Sequence, residues 1–261
     1  MDYYDNNGKA DRKEDFYSKT FGETSKTFYE QEDPNPFVGA IPVTDENSLF
    51  TKVFVWMALA LGVSAISAYI GADLIMSNVL TQGMLIGLIV AELILVIVFS
   101  IRLPKMSVLS ARICFFLYAI VNGLTLSTVL IVYTASSVFS TFIASAAMFG
   151  LAALWGKVTK KNLTSMGSIF VMGLFGLIIA GVINMFVNSG PFAMIISVVG
   201  ILLFLGITAW DIQKIKQYAQ QEGLYDYTRT QKVIIYGAFS LYLDFINIFL
   251  KLLRLMGSTK D

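Results

Sequence analysis

The sequence predicts an all-α integral membrane protein of seven transmembrane helices with the seventh at the centre of the bundle. Three observations carry the helix count. Of 261 residues, 56% are hydrophobic and only 14% charged, where soluble domains carry about 25% charged residues. The apolar residues gather in seven stretches of about 20, the length that crosses ~30 Å of hydrocarbon at ~1.5 Å per residue. All five prolines lie outside those stretches, as unbroken helices require.

Residues 1–49 form an acidic tail, with 11 acidic and 5 basic side chains, whose polar composition predicts disorder. No basic start leads into an apolar run, so a cleaved signal peptide is not expected. The transmembrane domain is assigned to residues 50–257. Span one covers 50–71 and is followed by a link without lysine or arginine. Span two, near 79–101, carries Glu92 and leads into a link with Arg102, Lys105 and Arg112. Span three, near 110–133, holds Tyr118, Asn122 and Thr125, read as hydrogen-bonding groups between helices. Span four, near 137–156, precedes Lys157, Lys160 and Lys161. Span five, near 163–187, has Gly173, Gly176 and Ala180, read as close-packing positions. Span six, near 192–212, ends at Asp211 and leads into Lys214, Lys216, Arg229 and Lys232. Span seven covers 233–256. Basic links thus alternate with neutral ones, and the positive-inside rule puts the basic links and the N-terminus in the cytoplasm. Lys251, Arg254 and Lys260 near the far end of span seven leave a re-entrant course as the alternative.

The composition excludes several chemistries. With no histidine, the chain has no His-based triad, His metal site or imidazole switch. Cys114 alone makes neither an internal disulfide nor a thiolate zinc site. Basic residues are dispersed among short links, so nucleic-acid binding is not expected. No enzyme activity and no bound cofactor are expected. Proton chemistry falls to carboxylates.

Charges inside the spans are therefore the informative residues, since each costs ~2.5–3.5 kcal/mol at the bilayer centre unless it faces protein or water. Glu92 and Asp244 are deep, and Asp211 is intermediate. Arg102 and Lys251 admit a second reading, in which they snorkel to the headgroups. Along span seven, Tyr236, Ser240, Asp244, Asn247, Lys251 and Arg254 recur at steps of three and four, so they share one helical face. A polar seam of this kind suits a helix lining a cavity inside the bundle. A helix lying on the surface with the stripe in water is the alternative. Equal ten-residue spacings, Glu92 to Arg102 and Asp244 to Arg254, suggest two opposite-charge rungs between antiparallel helices. Arg102 would meet Asp244, and Glu92 would meet Arg254.

The run Ser240-Leu241-Tyr242-Leu243-Asp244-Phe245-Ile246-Asn247 resembles the span-seven signature of the Bax inhibitor transmembrane, or Lifeguard, family. Thr208-Ala209-Trp210-Asp211-Ile212-Gln213-Lys214-Ile215 is similar to that family's aspartate-bearing end of span six. The resemblance covers residues 50–257 and implies a seven-helix fold with the last helix innermost. It implies that Asp211 and Asp244 form a pH-responsive pair gating a calcium leak, with transient Ca2+ at both. Arg102 would compete for the aspartates, and Glu92 with Arg254 would form a supporting ion pair. Tyr236, Ser240, Tyr242, Asn247 and Lys251 are the pore-lining candidates. In this chain 33 positions separate the two aspartates, and polar residues near 217–230 are expected to enlarge the loop between them. A simple register puts Asp211 at the inner end of span six and Asp244 at mid-span. They meet only if spans six and seven continue past the bilayer as a hairpin, or if a watery vestibule reaches inward.

Two touching carboxylates in a low-dielectric site cannot both ionise cheaply, so they share a proton whose loss leaves repulsion. A loose oxygen site suits a passing cation, because an ion held tightly does not leave. The expected activity is a pH-sensitive calcium leak, with Ca2+ and H+ as partners in the lipid bilayer. The rivals are a regulator that binds other membrane proteins, such as a membrane protease or cell-death components, and a proton-coupled cation transporter. The compact length suggests a bacterial inner membrane.

Overall fold

The computed structural model of the protein describes residues 45–221 and 226–260. The acidic tail expected over residues 1–49 therefore lies almost wholly outside the described residues. Among the described residues seven α-helices follow one another: α1 (Glu46–Met76), α2 (Gln82–Arg102), α3 (Val108–Val132), α4 (Ala135–Val158), α5 (Gly167–Val187), α6 (Gly190–Gln221) and α7 (Tyr227–Met256). Each is long and apolar enough to cross a membrane. Among the described residues there is no strand, only an isolated bridge between Tyr133 and Thr259.

The helices overrun the apolar stretches that announce them. Hydropathy marks only the part in lipid, whereas a helix continues while its residues favour it. Residues 213–221 contain neither glycine nor proline, and α6 runs on to Gln221. Residues 217–221, expected to enlarge a loop, instead lengthen that helix. α7 starts at Asp226, whose carboxylate accepts from the backbone N–H of Thr228 at 2.7 Å and of Arg229 at 3.3 Å, satisfying donors that a helix start leaves free. From there α7 is one unbroken helix of 30 residues, not a re-entrant pair.

α7 packs against α1, α3, α4 and α6. In its most apolar stretch 72% of residues are buried inside the protein, against 6% for α2 and α5. The latter two turn Ile86, Ile97, Phe175 and Phe186 outward, the apolar face that lipid requires. An aromatic layer of Phe99, Phe115, Tyr118, Phe239 and Tyr242 joins α2, α3 and α7, with ring centroids 4.5 to 6.0 Å apart.

Lipid tails are as apolar as the side chains, so helices here gain from close backbone approach and interhelical hydrogen bonds. Between α1 and α3, Ser64 and Ser67 donate to the carbonyls of Ala119 and Ile120 at 2.8 and 2.7 Å. Gly123 lies so near that a Cβ there would sit 2.4 Å from the Ser64 carbonyl oxygen. Gly156 brings α4 equally close to Ala209 of α6. In α5, Gly173 meets Leu203 as a close-packing position should, whereas Gly176 faces open space. Past α7, Ser258 and Lys260 clasp the link between α3 and α4. Thr134 N–H donates to the Ser258 carbonyl at 3.0 Å and Lys260 N–H to that of Val132 at 2.8 Å, and the Lys260 ammonium donates to Leu130 at 2.7 Å.

Candidate functional site

Asp211 and Asp244 are both buried, on the facing helices α6 and α7. The register between these antiparallel helices is set by close approaches along their length. Lys214 reaches Tyr236, Asp211 faces Ser240, Asp244 faces Thr208, and Gly200 touches Lys251. Each carboxylate is therefore opposite a hydroxyl of the other helix, and the two acids lie about one turn apart along the hairpin. They are near enough to act on one another electrostatically. The Asp244 Oδ2 oxygen is buried without a hydrogen-bond donor among the described residues.

Most of the polar seam of α7 faces α6 as its spacing demands. Tyr236, Ser240, Asp244 and Lys251 all meet that helix. Asn247 turns its amide back to the Leu243 carbonyl of its own helix at 2.8 Å, and Arg254 is exposed. Tyr242 is a correction. It is fully buried on another side of α7, donating to Asn122 Oδ1 at 2.7 Å and bonding the Ser64 hydroxyl at 2.7 Å. Two residues before Asp244, it is turned by about 200° from it.

The two charge rungs are not formed. Phe99 packs on Phe239 and the Lys232 ammonium donates to the Pro104 carbonyl at 2.9 Å. Arg102 is thus level with the first turns of α7, roughly two to three turns from Asp244, and it is exposed. Glu92 meets neutral groups instead of Arg254. It accepts from the Asn122 amide and from the Thr125 hydroxyl, with the Tyr118 hydroxyl beside it. A polar chain then runs from Glu92 through Asn122 and Tyr242 to Ser64, across α2, α3, α7 and α1. Neither Arg102 nor Arg254 is ion-paired among the described residues.

Comparison with known proteins assigns the chain to a family. The family model described as inhibitor of apoptosis-promoting Bax1 matches residues 46–261. The chain belongs to the Bax inhibitor family. Inner membrane protein YbhL of Escherichia coli is 40% identical over 212 residues, covering 80% of this chain and 91% of the relative. An uncharacterized protein of Rickettsia prowazekii is 40% identical over 213 residues, 80% of this chain and 89% of its own. Another from Borreliella burgdorferi is 35% identical over 223 residues, 83% and 94% respectively.

In this Bax inhibitor family member, sequence reasoning missed two residues of the site. Thr208 is three positions before Asp211 and Lys214 three after it, so helical spacing alone puts both on the acid's face. The Lys214 ammonium is 3.7 Å from Asp211 Oδ1 and donates to the Tyr236 hydroxyl at 3.1 Å. Gln213, beside the acid in sequence, instead ties the link between α4 and α5 to α6. It accepts from Leu163 N–H at 2.9 Å and donates to the Lys161 carbonyl at 2.8 Å. Among the described residues no three carboxylate or thiol groups converge into a metal cluster. The site consists of the two carboxylates, the Thr208 and Ser240 hydroxyls and the Lys214 ammonium.

Proposed function

We propose that the protein is a cation leak pathway that lets Ca2+ run down its gradient, controlled by the proton shared between Asp211 and Asp244. The observation that carries this reading is the pair itself: two buried acids on adjacent helices, each opposite a hydroxyl, with one Asp244 oxygen lacking a donor. One proton between them leaves a single negative charge and holds α6 to α7. Its loss leaves two charges in a poorly solvated site, which part or take up a cation. Calcium prefers 6–8 oxygens. Two carboxylates with Thr208 and Ser240 reach six oxygens only if both carboxylates bind through both atoms, the bottom of that range, so an ion rests there with water still bound and moves on.

The basic links are read as cytoplasmic and the membrane as a bacterial inner membrane, supported by the charge alternation and by the name of the Escherichia coli relative. On this reading the protein catalyses no reaction. Calcium flux into proteoliposomes, measured across pH for wild type, Asp211→Asn and Asp244→Asn, tests it. Wild-type flux is expected to vary with pH and both variants to lose that variation. Identical pH profiles for all three proteins refute the shared-proton mechanism. Flux driven uphill by an imposed proton gradient converts the leak into coupled transport.

A further inference from the structure

The acid pair has a cation of its own. Lys214 is one turn from Asp211 on α6, and its ammonium lies 3.7 Å from Asp211 Oδ1, close enough for strong attraction but beyond hydrogen-bond length. The ammonium is held from the other side by aromatic groups. It sits 4.1 Å from the Trp210 ring centroid and 5.6 Å from that of Tyr236, whose hydroxyl accepts a hydrogen bond from it at 3.1 Å. Cations favour the faces of such rings. Both rings are braced. Trp210 lies against Phe170 at 6.0 Å and against Gly167, where a Cβ would sit 2.6 Å from the ring. Tyr236 meets Tyr218 edge-on at 5.9 Å.

Arg102 and Lys251 are both displaced from the pair. Arg102 is exposed and level with the start of α7, and Lys251 lies against Gly200, about two turns beyond Asp244. Lys214 acts electrostatically on both aspartates. Its side chain keeps 21% exposure, so it has an open side to move into on a flexible four-carbon stem.

We propose that Lys214 is a tethered counter-ion, whose ammonium occupies the cation position beside Asp211 and competes with a free metal ion for it. The inference rests on the reading of Asp211 and Asp244 as a cation site. A divalent ion on Asp211 and an ammonium at its present distance repel one another, so arrival of the ion requires Lys214 to withdraw. The Trp210 and Tyr236 rings keep the withdrawn ammonium within reach, and it returns when the ion leaves. Lys214 thus weakens cation binding and shortens each ion's stay.

Terbium, a luminescent stand-in for calcium, tests this with the full chain in nanodiscs. The nearby Trp210 sensitises its emission, and added Ca2+ displaces it. Lys214→Met is expected to bind terbium about ten-fold more tightly than wild type, Lys214→Arg to stay within about two-fold, and Asp211→Asn to lose binding. Lys105→Met removes an exposed charge from the same end of the molecule and is expected to leave the affinity unchanged. Wild-type binding that Asp211→Asn abolishes but Lys214→Met leaves unaltered or weaker overturns the tethered counter-ion alone. An equal gain in Lys105→Met and Lys214→Met overturns it too, since general charge then explains the effect. Absence of terbium binding in both wild type and Lys214→Met overturns the cation site and the proposal together. Loss of binding in Lys214→Met with a retained Lys214→Arg response marks the ammonium as a structural support, which also overturns competition.

Discussion

Removal of the Glu92 charge has a consequence that depends on which partner it meets, and a double-mutant cycle separates the two. Glu92 accepts from Asn122 and Thr125, while Asn122 also accepts from Tyr242 at 2.7 Å. Bonds to charged acceptors contribute ~1.5–3 kcal/mol in soluble proteins, but interhelical bonds in membranes average ~0.6 and reach ~1.7 kcal/mol. The bond shared by Glu92 and Asn122 is half-buried and charged, which places it near the upper end of the membrane range. Glu92→Gln combined with Asn122→Ala is therefore expected to show a coupling of about 1–2 kcal/mol. Glu92→Gln combined with Arg254→Gln has no shared partner, and the two costs add within ~0.5 kcal/mol. Reversible unfolding in bicelles, followed by steric trapping at α1 and α7, reads both cycles. Coupling below ~0.5 kcal/mol for the first pair, or coupling of the second as large as that expected for the first, refutes the assignment of Glu92 to the α3 network.

Gly123→Ala places a Cβ 2.4 Å from the Ser64 carbonyl oxygen and should cost ~1–3 kcal/mol as α1 and α3 part. Gly62→Ala meets nothing within 4 Å and should be neutral or stabilising by up to ~1 kcal/mol; equal melting points for the two variants would contradict the packing. Tyr242→Phe leaves Asn122 Oδ1 and Ser64 without the shared hydroxyl and should cost ~1–2 kcal/mol, measured by the same unfolding assay. If it is neutral, the buried network holds nothing together. Asp226→Ala removes the α7 cap and should cost ~1 kcal/mol, with faster hydrogen exchange confined to the first turn. Uniform exchange along α7 would place the effect elsewhere.

The helices and the face of the carboxylate pair were legible because both follow from periodicity. Seven apolar stretches report lipid, and steps of three and four put Ser240 and Asp244 on one face; that this face meets Asp211 was implied by the family resemblance, not by the spacing. Register was not legible. The Arg102–Asp244 rung assumed that charges align neighbouring helices, but alignment is set by Phe99 on Phe239 and by Lys232 on a carbonyl. Such apolar contacts carry no mark among 20 phenylalanines. Lys214 escaped notice for a related reason. Hydropathy ended span six at 212 and counted the lysine as loop charge, although helix spacing from Asp211 was there to be used once α6 was known to continue. Tyr242 stood among the pore-lining candidates, yet two positions from Asp244 on a helix means nearly opposite sides.

The burial of α7 bears on how the chain is made. This helix leaves the ribosome after the other six, yet it supplies the partners of Asn122, Ser64, Thr208 and Asp211 on three different helices. Until α7 arrives, those polar groups keep only the contacts they make among the six earlier helices, such as Ser64 to the Ala119 carbonyl and Asn122 to Glu92. Assembly is thus completed by insertion of a strongly amphipathic helix into a waiting cleft. A nascent chain arrested before Tyr227 would expose that cleft to lipid and to membrane quality control.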